Sequence, residues 1–300
     1  MIAVLAPIFD PLQYGFFIRA LIASSLVGVV CAVVGTYMVL RGLAFMGDAL
    51  SHSAFPGVVV AYLLGGPFYI GAAVAAVATA LAIGWVSRRG NLRGDTAIGV
   101  LFAGMFALGI FLFSRIPNYV GDLFGFLFGE ILGIGVSDLI GLVILGVIVL
   151  AIVTLLSKEL LYSTFDPLGA AASGLPVDRL DYLFLALIAL TIVVSLQAVG
   201  IILVVAMLVT PAATAQLLTQ RFSTLMGLAI LIGLVAPIGG LYLSYWLDAA
   251  SGATIVLVET AVFLMALLVG PRTGLLRPRT AVRDTATTFE PETVEATAAR

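Results

Sequence analysis

The chain has 300 residues, of which 62% are hydrophobic and only 10% charged, with a net charge of −2 and a mean hydropathy of +1.22. A soluble domain carries about 25% charged residues, so this composition excludes an ordinary globular enzyme and predicts an all-α polytopic membrane protein in a lipid bilayer. The single cysteine, Cys31, excludes an internal disulfide.

The opening residues MIAVLAPIFDPLQYG carry no basic stretch before their apolar run, so no cleavable signal is expected. Apolar windows follow at 15–39, 43–64, 67–87, 96–114, 136–157, 181–198, 200–219, 223–246 and 252–270. They predict eight or nine transmembrane helices. The junction at 199–200 is the least distinct, and also fits one span plus a re-entrant piece. Thirty-two glycines suit close helix packing in lipid, where small residues let backbones approach.

The stretch 41–66, RGLAFMGDALSHSAFPGVVVAYLLGG, holds the only histidine, His52, four residues after Asp48. On a helix that spacing is one turn, so both side chains face the same ligand. At about 1.5 Å of rise per residue, His52 lies roughly 16 Å past Arg41, near the middle of a core about 30 Å thick. An ionisable pair at that depth is costly unless compensated, and it points to a site on an ion path. The alternative is a buried Asp–His contact that only fixes the helix. Pro56 bends the chain just beyond His52 and opens backbone carbonyls beside the pair. Pro211, in IILVVAMLVTPAATAQLL, does the same in a later window, with Thr210 and Thr214 placed to satisfy freed carbonyls. Glu259 is a further carboxylate at membrane depth.

Basic residues set the orientation. With the carboxyl end cytoplasmic, Arg41, Arg88, Arg89, Arg93, Lys158, Arg179, Arg221 and five further arginines from 272 onward fall inside, leaving Arg19 and Arg115 outside. The amino end is therefore expected outside. In the basic turn at 87–95, SRRGNLRGD, Asp95 is expected to cap the following helix. At 158–180, KELLYSTFDPLGAAASGLPVDRL, Asp166 reads as an N-cap, Pro167 as a first-turn residue and Gly174 as a stop. The predicted helix has under two turns and a small surface of Gly169, Ala170, Ala171 and Ala172. It suits either a groove in another protein or its own bundle. The chain therefore divides into a transmembrane unit, 1–271, and a polar tail, 272–300, expected to be cytoplasmic and disordered.

Lys158 is the only lysine and no GxxxxGK[ST] occurs, so the chain is not expected to hydrolyse ATP itself. Ser51 and Ser53 do not face His52 on a helix, and neither GxSxG nor HExxH is present, which argues against an intramembrane enzyme.

Four ordered segments carry a resemblance: MVLRGLAFMGDALSHSAFPGVVVAYLLG, GDTAIGVLFAGMFALG, YSTFDPLGAAASGLPVDRLDYLFL and VVAMLVTPAATAQLL. From about residue 16 to residue 270 the chain resembles the membrane permease subunits of bacterial ABC importers for manganese, zinc and iron. The resemblance implies an architecture similar to the vitamin B12 and siderophore importers. It also implies a homodimer of permeases in the cell membrane, cytoplasmic ATP-binding subunits and an extracytoplasmic metal-binding protein. By position, Asp48 and His52 match the family's motif on the ion path. Asp166, Pro167, Gly169, Ala170, Ala171 and Gly174 match the segment that docks on the ATPase. Glu130, in LFGEILGI, and Glu259 depart from the pattern and are further candidates for the metal. The function expected is import of a divalent metal, Mn²⁺ first and Zn²⁺ or Fe²⁺ next, the ion being cargo and no cofactor being held permanently. An ion-gradient-driven metal carrier is the alternative, and no nucleic-acid partner is expected.

Overall fold

A computed structural model of the chain describes residues 9–90, 94–116 and 131–270; Glu130 and the tail at 272–300 lie outside them. The described residues form twelve α-helices. In chain order they begin with α1 (Gly15–Leu40), α2 (Ala44–Ser53), α3 (Phe55–Leu63), α4 (Phe68–Arg89), α5 (Gly94–Phe113) and α6 (Val136–Leu155). Then come α7 (Ser157–Phe165), α8 (Pro167–Ala172), α9 (Val177–Val199), α10 (Ile201–Leu218), α11 (Phe222–Leu247) and α12 (Ser251–Val269). Eight of these, α1, α4, α5, α6, α9, α10, α11 and α12, are long and apolar enough to cross a membrane.

The apolar window at 43–64 is not one helix but two, α2 and α3, meeting at Ala54. The junction at 199–200 resolves into two separate helices. Gly200 stands between them with φ 80°, a conformation that glycine alone adopts freely. Helix α5 begins at Gly94, so Asp95 lies inside its first turn, where a carboxylate still complements the helix dipole. Helix α10 continues through Pro211, and the Thr214 hydroxyl donates to the Thr210 carbonyl at 2.6 Å.

Helix α1 is the centre of the bundle, packed on α6, α9, α10 and α11. Val27, Cys31, Val34, Tyr37 and Met38 are buried along it. Its close contacts depend on two glycines seven residues apart, which share a face of the helix. A Cβ on Gly28 would overlap the Gly233 carbonyl of α11, and one on Gly35 the Leu208 carbonyl of α10. In lipid the attraction between helices is dispersion and hydrogen bonding, so such close backbone approach is what holds α1 in place. Gly57 and Gly71 play the same part where α3 crosses α4.

The two ends of the bundle differ. At one end Phe17 packs edge-on against Tyr242 and Tyr245, at 5.2 and 5.7 Å between ring centres, in the manner of an interfacial aromatic belt. At the other end Arg41, Arg88, Asp178 and Asp181 join α1, α4 and α9 through ion pairs, with α7 and α8 alongside.

The glycine contact gives a direct test. Gly28→Leu should destabilise the protein by about 1–3 kcal/mol through overpacking, read as a lower melting temperature in detergent. Gly227→Ala, on α11 with open space around it, should melt like the parent. Equal melting of the two variants would show that α1 and α11 are not in tight contact.

Candidate metal-ion site

Helix α2 carries the Asp48–His52 pair and stops one residue past it. Pro56 has no N–H to give to the His52 carbonyl, so the hydrogen-bond ladder breaks there. Ala54 stands alone between α2 and α3, with Pro56 in the first turn of α3. Gly109 of α5 lies directly against Phe55 and Pro56, which brings α5 up to the break.

Asp48 Oδ1 and His52 Nε2 are 3.5 Å apart, and their side chains are 52% and 28% exposed. The imidazole is held by two rings of α5, Phe106 at 5.4 Å and Phe102 at 5.6 Å between centres. Those rings stack on each other at 6.2 Å. The His52 Nδ1 edge is buried without a hydrogen-bond partner, while the Nε2 edge turns toward Asp48. The pair thus offers a carboxylate oxygen and an imidazole nitrogen on an open side of the chain. Its hydroxyl neighbours are occupied: Ser51 donates to the Gly47 carbonyl at 2.8 Å and Ser53 to that of Ala49 at 2.7 Å. Neither is placed as a ligand or a nucleophile.

Among the described residues no three His, Cys, Asp or Glu side chains converge on a common point. The described residues therefore bring two such donors together, half of a tetrahedral set and a third of an octahedral one. Glu259 does not join them. It is fully buried on α12, which packs on α10 and α11, and both its carboxylate oxygens lack hydrogen-bond partners. Cys31 is also buried and turned elsewhere, 3.7 Å from the Ser195 hydroxyl.

At the charged end of the bundle, Asp166 Oδ1 accepts the Gly169 N–H at 2.8 Å and so caps α8, with Pro167 in the first turn. Gly174 and Leu175 close it by donating to the Ala171 and Ala170 carbonyls at 3.0 and 3.1 Å. The expected small face is divided by the helical turn. Ala170 is fully buried against the bundle, whereas Ala171 and Ala172 are exposed beside Leu168 and Phe165. Ala170 therefore seats the helix and the other side presents a surface.

Two contributors are hard to find in sequence. Phe102 and Phe106 are legible only as apolar residues of a span, although their four-residue spacing matches that of Asp48 and His52. Arg41 counts only as an orientation charge, although it makes four side-chain hydrogen bonds to α7 and α9.

Comparison with known proteins shows what the whole chain resembles. The chain is 47% identical over 265 residues to the manganese transport system membrane protein MntC of Halalkalibacterium halodurans, covering 88% of this chain and 91% of that one. It is 41% identical over 259 residues to the chelated iron transport system membrane protein YfeD of Yersinia pestis, covering 86% and 87%. Among solved structures, PsaBC from Streptococcus pneumoniae in complex with Fab superposes with a TM-score of 0.80 at 38% identity, over 92% of this chain and 99% of that one. The family model described as the ABC 3 transport family matches residues 13–270, and the chain belongs to that family.

Proposed function

We propose that this chain is the permease subunit of an ATP-driven importer for a divalent first-row metal ion, with Mn²⁺ the first candidate and Fe²⁺ or Zn²⁺ next. The observation that carries the reading is the Asp48–His52 pair at the broken junction of α2 and α3. A carboxylate oxygen and an imidazole nitrogen suit Mn²⁺, Fe²⁺ and Zn²⁺, whereas Cu(I) favours sulfur donors. Two relatives named for manganese and iron transport support the same choice. An ion in transit must also leave, so a sparse donor set fits a path better than a storage site.

In this reading two copies of the chain face each other across their open sides, and the Asp48–His52 pairs of both converge on one ion. A homodimer completes what one protomer leaves half built. The twofold symmetry of most soluble homo-oligomers has its counterpart in such a paired pore. The charged end, with Arg41, Arg88, Arg89, Lys158, Arg179 and Arg221, lies in the cytoplasm, and the amino end lies outside. The tail at 272–300 then belongs to the cytoplasmic side, and an extracytoplasmic protein delivers the metal. Cytoplasmic ATP-binding subunits dock on α8, whose exposed side joins Ala171 and Ala172 to Leu168, 84% exposed, and Phe165, 64% exposed. A gradient-driven carrier has no use for such a capped, outward-facing helix at its charged end.

His52→Ala and Asp48→Asn should each lower metal uptake by at least about tenfold, with membrane expression and dimerisation intact. If the variant proteins are degraded while uptake per folded molecule persists, the pair is structural and the site assignment fails. Ala171→Arg should weaken co-purification with the ATP-binding subunit while leaving the spans undisturbed. A complex that assembles normally in that variant rules out this face as the contact.

A further inference from the structure

Arg41 ends α1 and begins the turn into α2. Gly42 follows with φ 71°, and the Gly42 and Leu43 N–H groups donate to the Val39 and Met38 carbonyls at 3.0 and 2.9 Å. Both bonds of a left-handed helix stop are made, so the link from α1 to α2 is short and stiff. Asp48 lies seven residues beyond Arg41, and the first four residues of that interval complete the turn and enter α2.

The Arg41 side chain leaves this turn for two other helices. Its Nε donates to Thr164 Oγ1 at 2.9 Å, and its Nη2 to Ser163 Oγ at 2.9 Å and to the Leu160 carbonyl at 3.4 Å, all on α7. Its Nη1 donates to Asp181 Oδ1 of α9 at 2.6 Å, and the guanidinium lies 4.6 Å above the Phe184 ring. Only 11% of the side chain is exposed. The other Asp181 oxygen accepts Arg88, which also pairs with Asp178. Arg88 reaches α9 alone, so among these arginines Arg41 is the one that takes hold of α7. Helix α7 in turn passes into α8 through a single residue, Asp166, whose N–H is held by the Tyr162 carbonyl at 2.9 Å and whose side chain caps α8. The two short helices are therefore one body. Beside them lies a half-open cavity of about 400 Å³, lined by Arg41, Arg88, Ser163, Thr164, Pro167 and Asp181.

We infer that Arg41 is a positioning residue that delivers movement of α7–α8 to α2 and its Asp48–His52 pair, so that ATP hydrolysis in the partner subunit opens and closes the metal path. This rests on the reading of α8 as the docking surface. The task requires a planar fork of donors. A lysine offers three donors from one point and cannot hold Ser163, Thr164 and Asp181 together. An arginine that merely tied helix ends would set stability and leave the ions moved per ATP unchanged.

The test uses the full complex of permease and ATP-binding subunits in liposomes, with Mn²⁺ as the ion and both uptake and ATP hydrolysis recorded. Arg41→Lys should assemble and hydrolyse ATP, while Mn²⁺ moved per ATP falls by about tenfold. Thr164→Val keeps the side-chain shape, loses one of the bonds and should lower the same ratio by about twofold. If Arg41→Lys fails to fold, the Thr164→Val ratio decides. An unchanged ratio in the variants that fold overturns the inference. Assembly of Ala171→Arg separates the two readings: if that variant fails to assemble while Arg41→Lys stays fully coupled, the docking reading stands and only the role of Arg41 falls.

Discussion

The structure depends on a break in one helix. A chain crossing hydrocarbon must satisfy its own backbone, and a helix does this everywhere except where its ladder is interrupted. Pro56 interrupts it, and α2 and α3 replace what would otherwise be one uniform span. The interruption falls beside the one place where the chain puts a carboxylate and an imidazole a single turn apart. The surrounding contacts come from one neighbour: Phe102 and Phe106 flank the imidazole, and Gly109 lets α5 reach the break.

Around this point the fold joins its helices by two different means. Along its middle, helix α1 is packed by close backbone approach at Gly28 and Gly35. The charged end is built differently. There the ends of α1, α4, α7 and α9 are joined by hydrogen bonds and ion pairs beside a cavity. In the proposed reading, the pair at the helix break is tied through the short turn at Arg41 to this polar joint, and an alternating path for an ion needs such a connection.

Much of this was legible in the sequence because membrane folding leaves few options. Apolar runs at 15–39 and 252–270 show a span directly, and Asp166, Pro167 and Gly174 spell out a short helix through capping chemistry alone. The Asp48–His52 pair is visible because its spacing is local. What sequence does not show depends on distance along the chain. Arg41 meets Asp181 across 140 residues, and nothing in either neighbourhood announces the other. Ala170 and Ala171 are adjacent and chemically alike, yet one is buried and the other exposed, which only packing decides. Glu259 reads as a carboxylate available to a metal, but the fold seals it within α10, α11 and α12, apart from the pair.

The central claim is that a metal ion is held between two copies of the pair. It is tested most directly by loading the purified permease dimer with Mn²⁺ and measuring both the bound metal and its electron-spin coupling to nitrogen. The account predicts one ion per two chains, with imidazole nitrogen coupling that disappears in His52→Ala. One ion per chain, or a bound ion without nitrogen coupling, would contradict it.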